Sequence, residues 1–191
     1  EARAAARVEH PNIVGVLDAG QSADGTRFIV QELLHGTDLR AVLRERAALP
    51  CDEALALLTP VMEALAAAHR AGVVHRDVKP ENIFLCDGAS GQRVPKLIDF
   101  GIARLRDGDA LVTRTGALMG TPGYMSPEQA RGLQHIDART DVWAIAVVLR
   151  EALTGERPFQ GDNYNALLAS ILTDTIAPTQ RVAPRAPAAV C

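Results

Sequence analysis

Asp77, Lys79 and Asn82 fall within the octapeptide His75-Arg76-Asp77-Val78-Lys79-Pro80-Glu81-Asn82, which sets ionic and metal-binding side chains between two short apolar runs. Such a segment reads as a tight loop at a strand end, its charges gathered into one cleft. There Asp77 can accept the proton of a hydroxyl. Lys79, two residues on and on the same side of an extended backbone, can neutralise a phosphate in transfer. Asn82 offers a neutral oxygen of the kind Mg²⁺ takes. A charged surface loop is the plainer reading of the same residues. A second signal, Asp99-Phe100-Gly101, follows the apolar run Lys96 to Ile98 and supplies a carboxylate, an apolar anchor and a backbone pivot. It stands seventeen residues after Asn82, across one hairpin, which would bring the two metal ligands side by side. A third stretch, Gly120 to Glu128, is turn-rich and leads into a helix that Ser126 would cap. Asp141, opening Asp141-Val142-Trp143, reads from its position alone as a helix N-terminal carboxylate.

These residues need elements to hold them. Glu1 to Glu9 reads as the end of a helix, closed at His10-Pro11-Asn12. Ile13 to Leu17 and Arg27 to Gln31 read as the strands of a hairpin, turning through Gly20 to Gly25. A short helical pattern runs from Gly36 to Arg46. Cys51 to Ala71 is the clearest helix, with Ala54, Leu55, Leu58, Met62, Leu65 and Ala66 as its apolar stripe. Pro60 predicts a kink within it and Gly72 a left-handed cap after it. Extended pieces are expected at Val73 to His75, Ile83 to Cys86 and Lys96 to Ile98, with a turn at Asp87 to Gly91. Arg104 to Gly120 is polar and without periodicity. Asp141 to Leu153 is apolar nearly all round and predicts a buried helix, and Asn165 to Leu172 another helical piece.

Bulk properties exclude some function classes. The chain has 191 residues, 48% hydrophobic and 23% charged, with net charge −3, ordinary for one soluble domain. That balance argues against nucleic-acid binding through a broad basic surface. Cys51, Cys86 and Cys191 follow no metal-ligand spacing and read as reduced thiols, which points to the cytoplasm. The longest apolar run, Val142 to Leu149, is too short for a membrane span, and no signal peptide opens the chain. Both ends read as cuts within a longer pattern.

The motifs HRDVKPEN, DFG, GTPGYMSPE and DVW, in this order and spacing, resemble the protein kinase superfamily over essentially the whole chain. HPNIVGVLDAG and SPEQARG are similar to bacterial eukaryotic-like serine/threonine kinases. The resemblance implies an α+β fold: a mostly helical large lobe (36–191), a connecting hinge (32–35) and a remnant of the small-lobe antiparallel sheet (1–31). It implies ATP and Mg²⁺ as cofactors, protein Ser/Thr hydroxyls as substrates, and a kinase homodimer as a further partner. Asp77 then matches the catalytic base, Lys79 the γ-phosphate lysine, Asn82 and Asp99 the Mg²⁺ ligands, and Thr121 the threonine contacting lysine and base. His75 and Phe100 match the hydrophobic spine. Gln31 to Leu34 match the hinge, where the Glu32 carbonyl and Leu34 backbone meet adenine above Phe84. Asp141 matches the brace of the catalytic loop, a more specific role than a cap. Glu1 matches the partner of the ATP-anchoring lysine, beside the plainer reading of a surface glutamate. Thr113 and Thr115 match activating phosphorylation sites that pair with Arg76, or else are two threonines in a solvated loop.

The chain departs from the family pattern in places. The glycine-rich loop and anchoring lysine would precede Glu1, and the arginine that pairs with Glu128 would follow Cys191. The chain as given is therefore expected to have negligible transfer activity. Ala146 stands where glycine is usual, which predicts a crowded methyl, and Arg150 where an aromatic is common. The alternatives to an active kinase are a pseudokinase-like interaction module and a small-molecule phosphotransferase of kinase-like fold. The intact set Asp77, Lys79, Asn82 and Asp99 argues against the first. Thr121 and the SPE segment argue against the second.

Overall fold

The computed structural model describes residues 8–88, 91–99 and 122–178. Glu1, Phe100, Gly101, Thr113, Thr115 and Thr121 lie outside the described residues, as do the polar stretch 104–120 and the proline-rich 181–191.

Two antiparallel strands, β1 (Val16–Gln21) and β2 (Arg27–Gln31), form a hairpin with Val16 opposite Gln31 and Gln21 opposite Arg27. The turn comes later than the sequence predicts. Gly20 and Gln21 belong to the ladder, and Ser22 to Thr26 reverse the chain, Ser22 N–H donating to the Thr26 carbonyl at 2.9 Å. Gly20 is a packing glycine: a Cβ there would stand 2.7 Å from the Phe28 ring. The first strand also starts later than Ile13. Ile13 and Val14 are buried and dock instead on the other sheet, Ile13 bridging Leu97 and Val14 N–H donating to the Leu97 carbonyl at 2.9 Å.

That second sheet has the order β3-β4-β5, all antiparallel: β3 (Gly36–Asp38), β4 (Ile83–Asp87) and β5 (Arg93–Leu97). Val73 to His75, expected as extended, joins neither sheet. Gly36 has φ 143°, and its missing side chain lets the backbone approach Leu85. Helix α1 (Leu39–Arg46) starts at Asp38, whose carboxylate accepts from Ala41 N–H at 2.8 Å.

Helix α2 (Cys51–Arg70) runs unbroken through Pro60. Asp52 and Glu53 open it and His69 and Arg70 close it, each sign complementing the helix dipole. Gly72 follows with φ 75°, the expected left-handed stop. The buried face is rotated from the expected stripe: Ala54, Leu57, Leu58, Val61, Ala64, Leu65 and Ala68 are buried, Leu55 and Met62 half-buried, and Ala66 exposed. Leu57, Val61, Ala64 and Ala68 continue the same three- and four-residue steps, so two overlapping stripes competed and packing chose one.

Helix α3 (Pro127–Ala130) is a single turn capped by Ser126, which forms a reciprocal capping box with Gln129. Helix α4 (Arg139–Thr154) packs against α2 and ends at Gly155 with φ 78°. It is not buried all round: Val142 is 59% exposed and Ala146 is exposed, so the crowded methyl expected at Ala146 is absent. Helix α5 (Tyr164–Thr173) is capped by Asn163. The main core joins α1, α2, α4, β4 and β5 through Leu39, Leu58, Val61, Ile83, Leu85, Leu97 and Val148. Each buried Leu, Val or Ile contributes roughly 1.5–3 kcal/mol. The architecture is α+β, as the motif order implied.

Candidate active site

Residues 71–82 connect α2 to β4, and their shape depends on one carboxylate from another helix. Asp141, on α4, is fully buried and accepts from His75 N–H and Arg76 N–H at 2.8 Å each and from His69 Nε2 at 2.7 Å. Arg76 sits in the left-handed region at φ 68°, which a non-glycine residue holds only against resistance. The two backbone donors fixed on Asp141 supply that hold. Of the two readings of Asp141, the brace is the one its geometry matches.

His75, also buried, passes this order to Asp77. Its Nε2 meets the Ile98 carbonyl at 3.0 Å, and its Nδ1 accepts from Asp77 N–H at 3.3 Å. Burial lowers the His75 pKa, outweighing the pull of Asp141, so the ring is neutral with its proton on Nε2. A neutral imidazole can donate at one nitrogen and accept at the other, which this arrangement requires.

Asp77 is the convergence point. Lys79 Nζ lies 2.6 Å from its Oδ2, and Asn82 Nδ2 donates to Oδ2 at 3.0 Å and to the Asp77 carbonyl at 2.7 Å. Asp77 keeps its side chain 44% exposed, so a hydroxyl can reach it. The two bonds from Asn82 Nδ2 reserve its Oδ1, the atom a hard cation takes. Ile98 N–H donates to the Asn82 carbonyl at 3.0 Å, which brings Asp99 beside Asn82. Asp99 is exposed and has φ 61°. One amide oxygen and one carboxylate suit Mg²⁺, which keeps waters and takes phosphate oxygens. Among the described residues no group of three or more His, Cys, Asp or Glu is placed to hold a metal.

Glu32, Leu33 and Leu34 link β2 to the second sheet, with Leu33 82% exposed. Phe84, half-buried, lies on β4 opposite both Asp38 and Lys96. Arg76 has its buried Nε without a hydrogen-bond partner among the described residues. It lines a cleft of about 410 Å³ with Gln134, His135, Ile136 and Asp137.

The motif reading missed two groups. His69, at the end of α2, completes the set on Asp141; its signal was a histidine on the inward face of a helix. Arg40 on α1 bonds Glu81 and Glu151 at 2.9 Å each and the Tyr124 hydroxyl, which itself donates to Glu151 at 2.5 Å. Burial works against the Arg40 charge, but its hydrogen bonds to Glu151 and Glu81 prevail and raise its pKa. Burial, reinforced by Glu151, raises that of Tyr124, so the phenol stays protonated. This network ties the 80–82 turn to the 122–124 turn, and nothing in the local spacing of Arg40 announces it.

Residues 1–188 match the family model described as "Protein kinase domain". The chain is 43% identical over 190 residues to Serine/threonine-protein kinase pkn3 of Myxococcus xanthus, covering 97% of this chain and 34% of that protein. It is 47% identical over 164 residues to PknL of Mycobacterium tuberculosis, covering 85% and 39%, and 41% identical over 185 residues to PknB of Mycobacterium leprae, covering 95% and 29%. The chain thus spans about a third of the length of these relatives. Among solved structures, a double mutant of the Mycobacterium tuberculosis PknI kinase domain superposes with TM-score 0.72 at 28% identity, over 96% of this chain and 62% of that one. No helix among the described residues is long and apolar enough to cross a membrane. The braced loop, the residues gathered on Asp77 and these likenesses have one explanation: the chain belongs to the protein kinase family, in its eukaryotic-like serine/threonine branch.

Proposed function

We propose that this chain carries the phosphoryl-transfer centre of a cytoplasmic kinase that moves the γ-phosphate of ATP to Ser and Thr hydroxyls of protein substrates. The observation that carries this reading is the meeting of Lys79 and Asn82 on the Asp77 carboxylate, on a loop braced by Asp141. The substrate oxygen forms its bond to the γ-phosphorus as the bridging bond to ADP breaks and ADP leaves with that electron pair. Asp77 orients the hydroxyl and takes its proton. Lys79, already paired with Asp77, offsets charge on the transferred group. Asn82 and Asp99 would hold Mg²⁺, which neutralises phosphate charge when bound. The backbone of Glu32 and Leu34 holds adenine over Phe84, and the family resemblance gives Thr121 the contact with Lys79 and the catalytic base. The family resemblance gives Glu1 the role of partner to an ATP-anchoring lysine.

The test is transfer from labelled ATP to a generic basic protein, by protein produced from its complete gene. Asp77→Asn should lower kcat by about a hundredfold or more. A variant that keeps activity within threefold overturns the assignment of Asp77. These 191 residues alone hold no glycine-rich loop of the family's form, and the same assay should find negligible transfer from them; robust transfer would refute that.

We infer regulation from the Nε of Arg76, which has no hydrogen-bond partner among the described residues. A phosphothreonine at 113 or 115 brings nearly two negative charges and three acceptors to a guanidinium fork. Phosphorylation there would pair with Arg76 and align Thr121. Mass spectrometry after incubation with ATP should find phosphate on Thr113 or Thr115. A Thr113→Ala/Thr115→Ala protein of undiminished activity would rule the mechanism out.

A further inference from the structure

The side chain of Glu32 has work that the backbone reading of 32–34 does not use. Its Oε1 accepts from Gly15 N–H at 2.7 Å and lies 2.7 Å from Lys96 Nζ. Its own N–H donates to the Gly15 carbonyl at 2.9 Å. Gly15 precedes β1, Glu32 follows β2, and Lys96 belongs to β5 of the other sheet. One carboxylate therefore staples the base of the hairpin to the β3-β4-β5 sheet. Lys96 is one of only two lysines in the chain, the other being Lys79. Its side chain is 19% exposed, against 35% for Glu32, so the pair is partly shielded from water. The Lys96 hydrogen bond, with that of Gly15, lowers the Glu32 pKa and keeps it ionised. Lys96 stands directly opposite Phe84 in the β4–β5 ladder, so both side chains share one face of the sheet. Glu32 reaches that face from above. The 12–14 segment docks on the same strand, through Leu97 N–H to the Asn12 carbonyl at 2.8 Å and Asn12 Nδ2 to the Pro95 carbonyl at 2.7 Å. Leu33, in the middle of the connecting stretch, is exposed.

We propose that Glu32, through its carboxylate bridge to Lys96 and Gly15 N–H, is a positioning residue for nucleotide: it sets the height and direction of backbone 32–34 over Phe84. This rests on the reading of 32–34 as the adenine-contacting segment. The bridge holds a short, exposed stretch whose groups must meet a flat ligand at hydrogen-bond distance. Loosening it weakens nucleotide binding while leaving the Asp77 loop, held separately by Asp141, in place.

The experiment uses protein produced from its complete gene. KM for ATP, KM for the protein substrate and kcat are measured, with the Kd of a fluorescent ADP analogue as a readout independent of turnover. Lys96→Met should raise the ATP KM and the analogue Kd about three- to tenfold, the scale of one partly shielded ion pair. Its kcat and protein-substrate KM should stay within twofold. Lys96→Arg should restore the ATP KM. Glu32→Gln combined with Lys96→Met should be no worse than the more impaired single variant, because both remove one bridge. Where Lys96→Met fails to fold, Lys96→Gln, which loses the charge and keeps a donor, carries the same comparison. An ATP KM unchanged by the Lys96 substitutions, or fully additive effects, overturns the proposal. Leu34→Pro, which deletes the backbone donor at 34, separates it from its premise. A raised ATP KM in Leu34→Pro beside an unchanged one in Lys96→Met refutes the staple alone. Unchanged values in both refute the adenine reading of 32–34 as well.

Discussion

Replacing Asp141 by Asn changes one atom and keeps the shape of the side chain, so its effect isolates the charge and the second acceptor. In the native fold one oxygen accepts from Arg76 N–H and the other from His75 N–H and His69 Nε2, all at 2.7–2.8 Å and without solvent. The amide can keep one of these positions as an acceptor. At the other, an N–H₂ group faces a backbone N–H, donor against donor. Hydrogen bonds to a charged group contribute about 1.5–3 kcal/mol each, and an orphaned buried donor costs about 1–3 kcal/mol. These terms overlap, so a loss of about 3 kcal/mol is expected, against a typical domain stability of about 5–15 kcal/mol. The left-handed Arg76 is released at the same time, and the loop carrying Asp77 drifts. A displacement of about 1 Å at the reacting group costs about a hundredfold in kcat. Urea unfolding followed by circular dichroism reads the stability, and transfer from labelled ATP under folding conditions reads kcat. If Asp141→Asn unfolds within 1 kcal/mol of the native protein and turns over at its rate, the bracing argument is wrong.

Arg40→Ala leaves Glu151, only 6% exposed, without its cation, and should cost about 3–5 kcal/mol in denaturant unfolding; a loss below 1 kcal/mol would show the network to be dispensable. Arg40→Lys cannot fork to Glu81 and Glu151 together and should recover only part of that loss. His75 is held neutral by burial, so its folded pKa lies below the usual value of about 6.5. Below that pH the unfolded chain takes up a proton that the folded one does not, so this contribution is complete above about pH 6.5 and falls with pH at up to about 1.4 kcal/mol per unit. Unfolding midpoints from pH 7.5 to 5 should show that decline, and His75→Gln should flatten it; an equally steep decline in the variant refutes the assignment. Gly36→Ala places a Cβ 2.0 Å from the Leu85 carbonyl oxygen at φ 143° and should cost at least about 3 kcal/mol by thermal unfolding, where a neutral result would deny the close approach.

Local sequence determined much of this protein because its chemistry is local. Asp77, Lys79 and Asn82 lie within six residues, and a two-residue step along an extended backbone puts Lys79 beside Asp77 without outside help. Two helix ends were equally legible: Ser126 caps α3 because its short side chain reaches the backbone N–H three residues on, and Gly72 stops α2 because it tolerates φ 75°. The caps Asp38 and Asn163, which act in the same way, were not read, and the starts of α1 and α5 were misplaced. Which of two apolar stripes of α2 faces inward was not legible, since both satisfy helical periodicity and only the neighbours decide. The hairpin turn was misplaced for a like reason: Gly20 serves the Phe28 ring across the ladder, a contact between strands that no local rule reads. Asp141 from its own position is merely a helix-end carboxylate. It becomes a brace only when α4 packs on α2 and brings it to residues 72 and 65 positions away, as its bonds to His69 and Arg76 record. The same holds for Arg40 with Glu151, and for Glu32 with Lys96. Charges so far apart in the chain carry no mutual signal in sequence, because their energy exists only at short range in a shielded site, and folding alone creates both conditions.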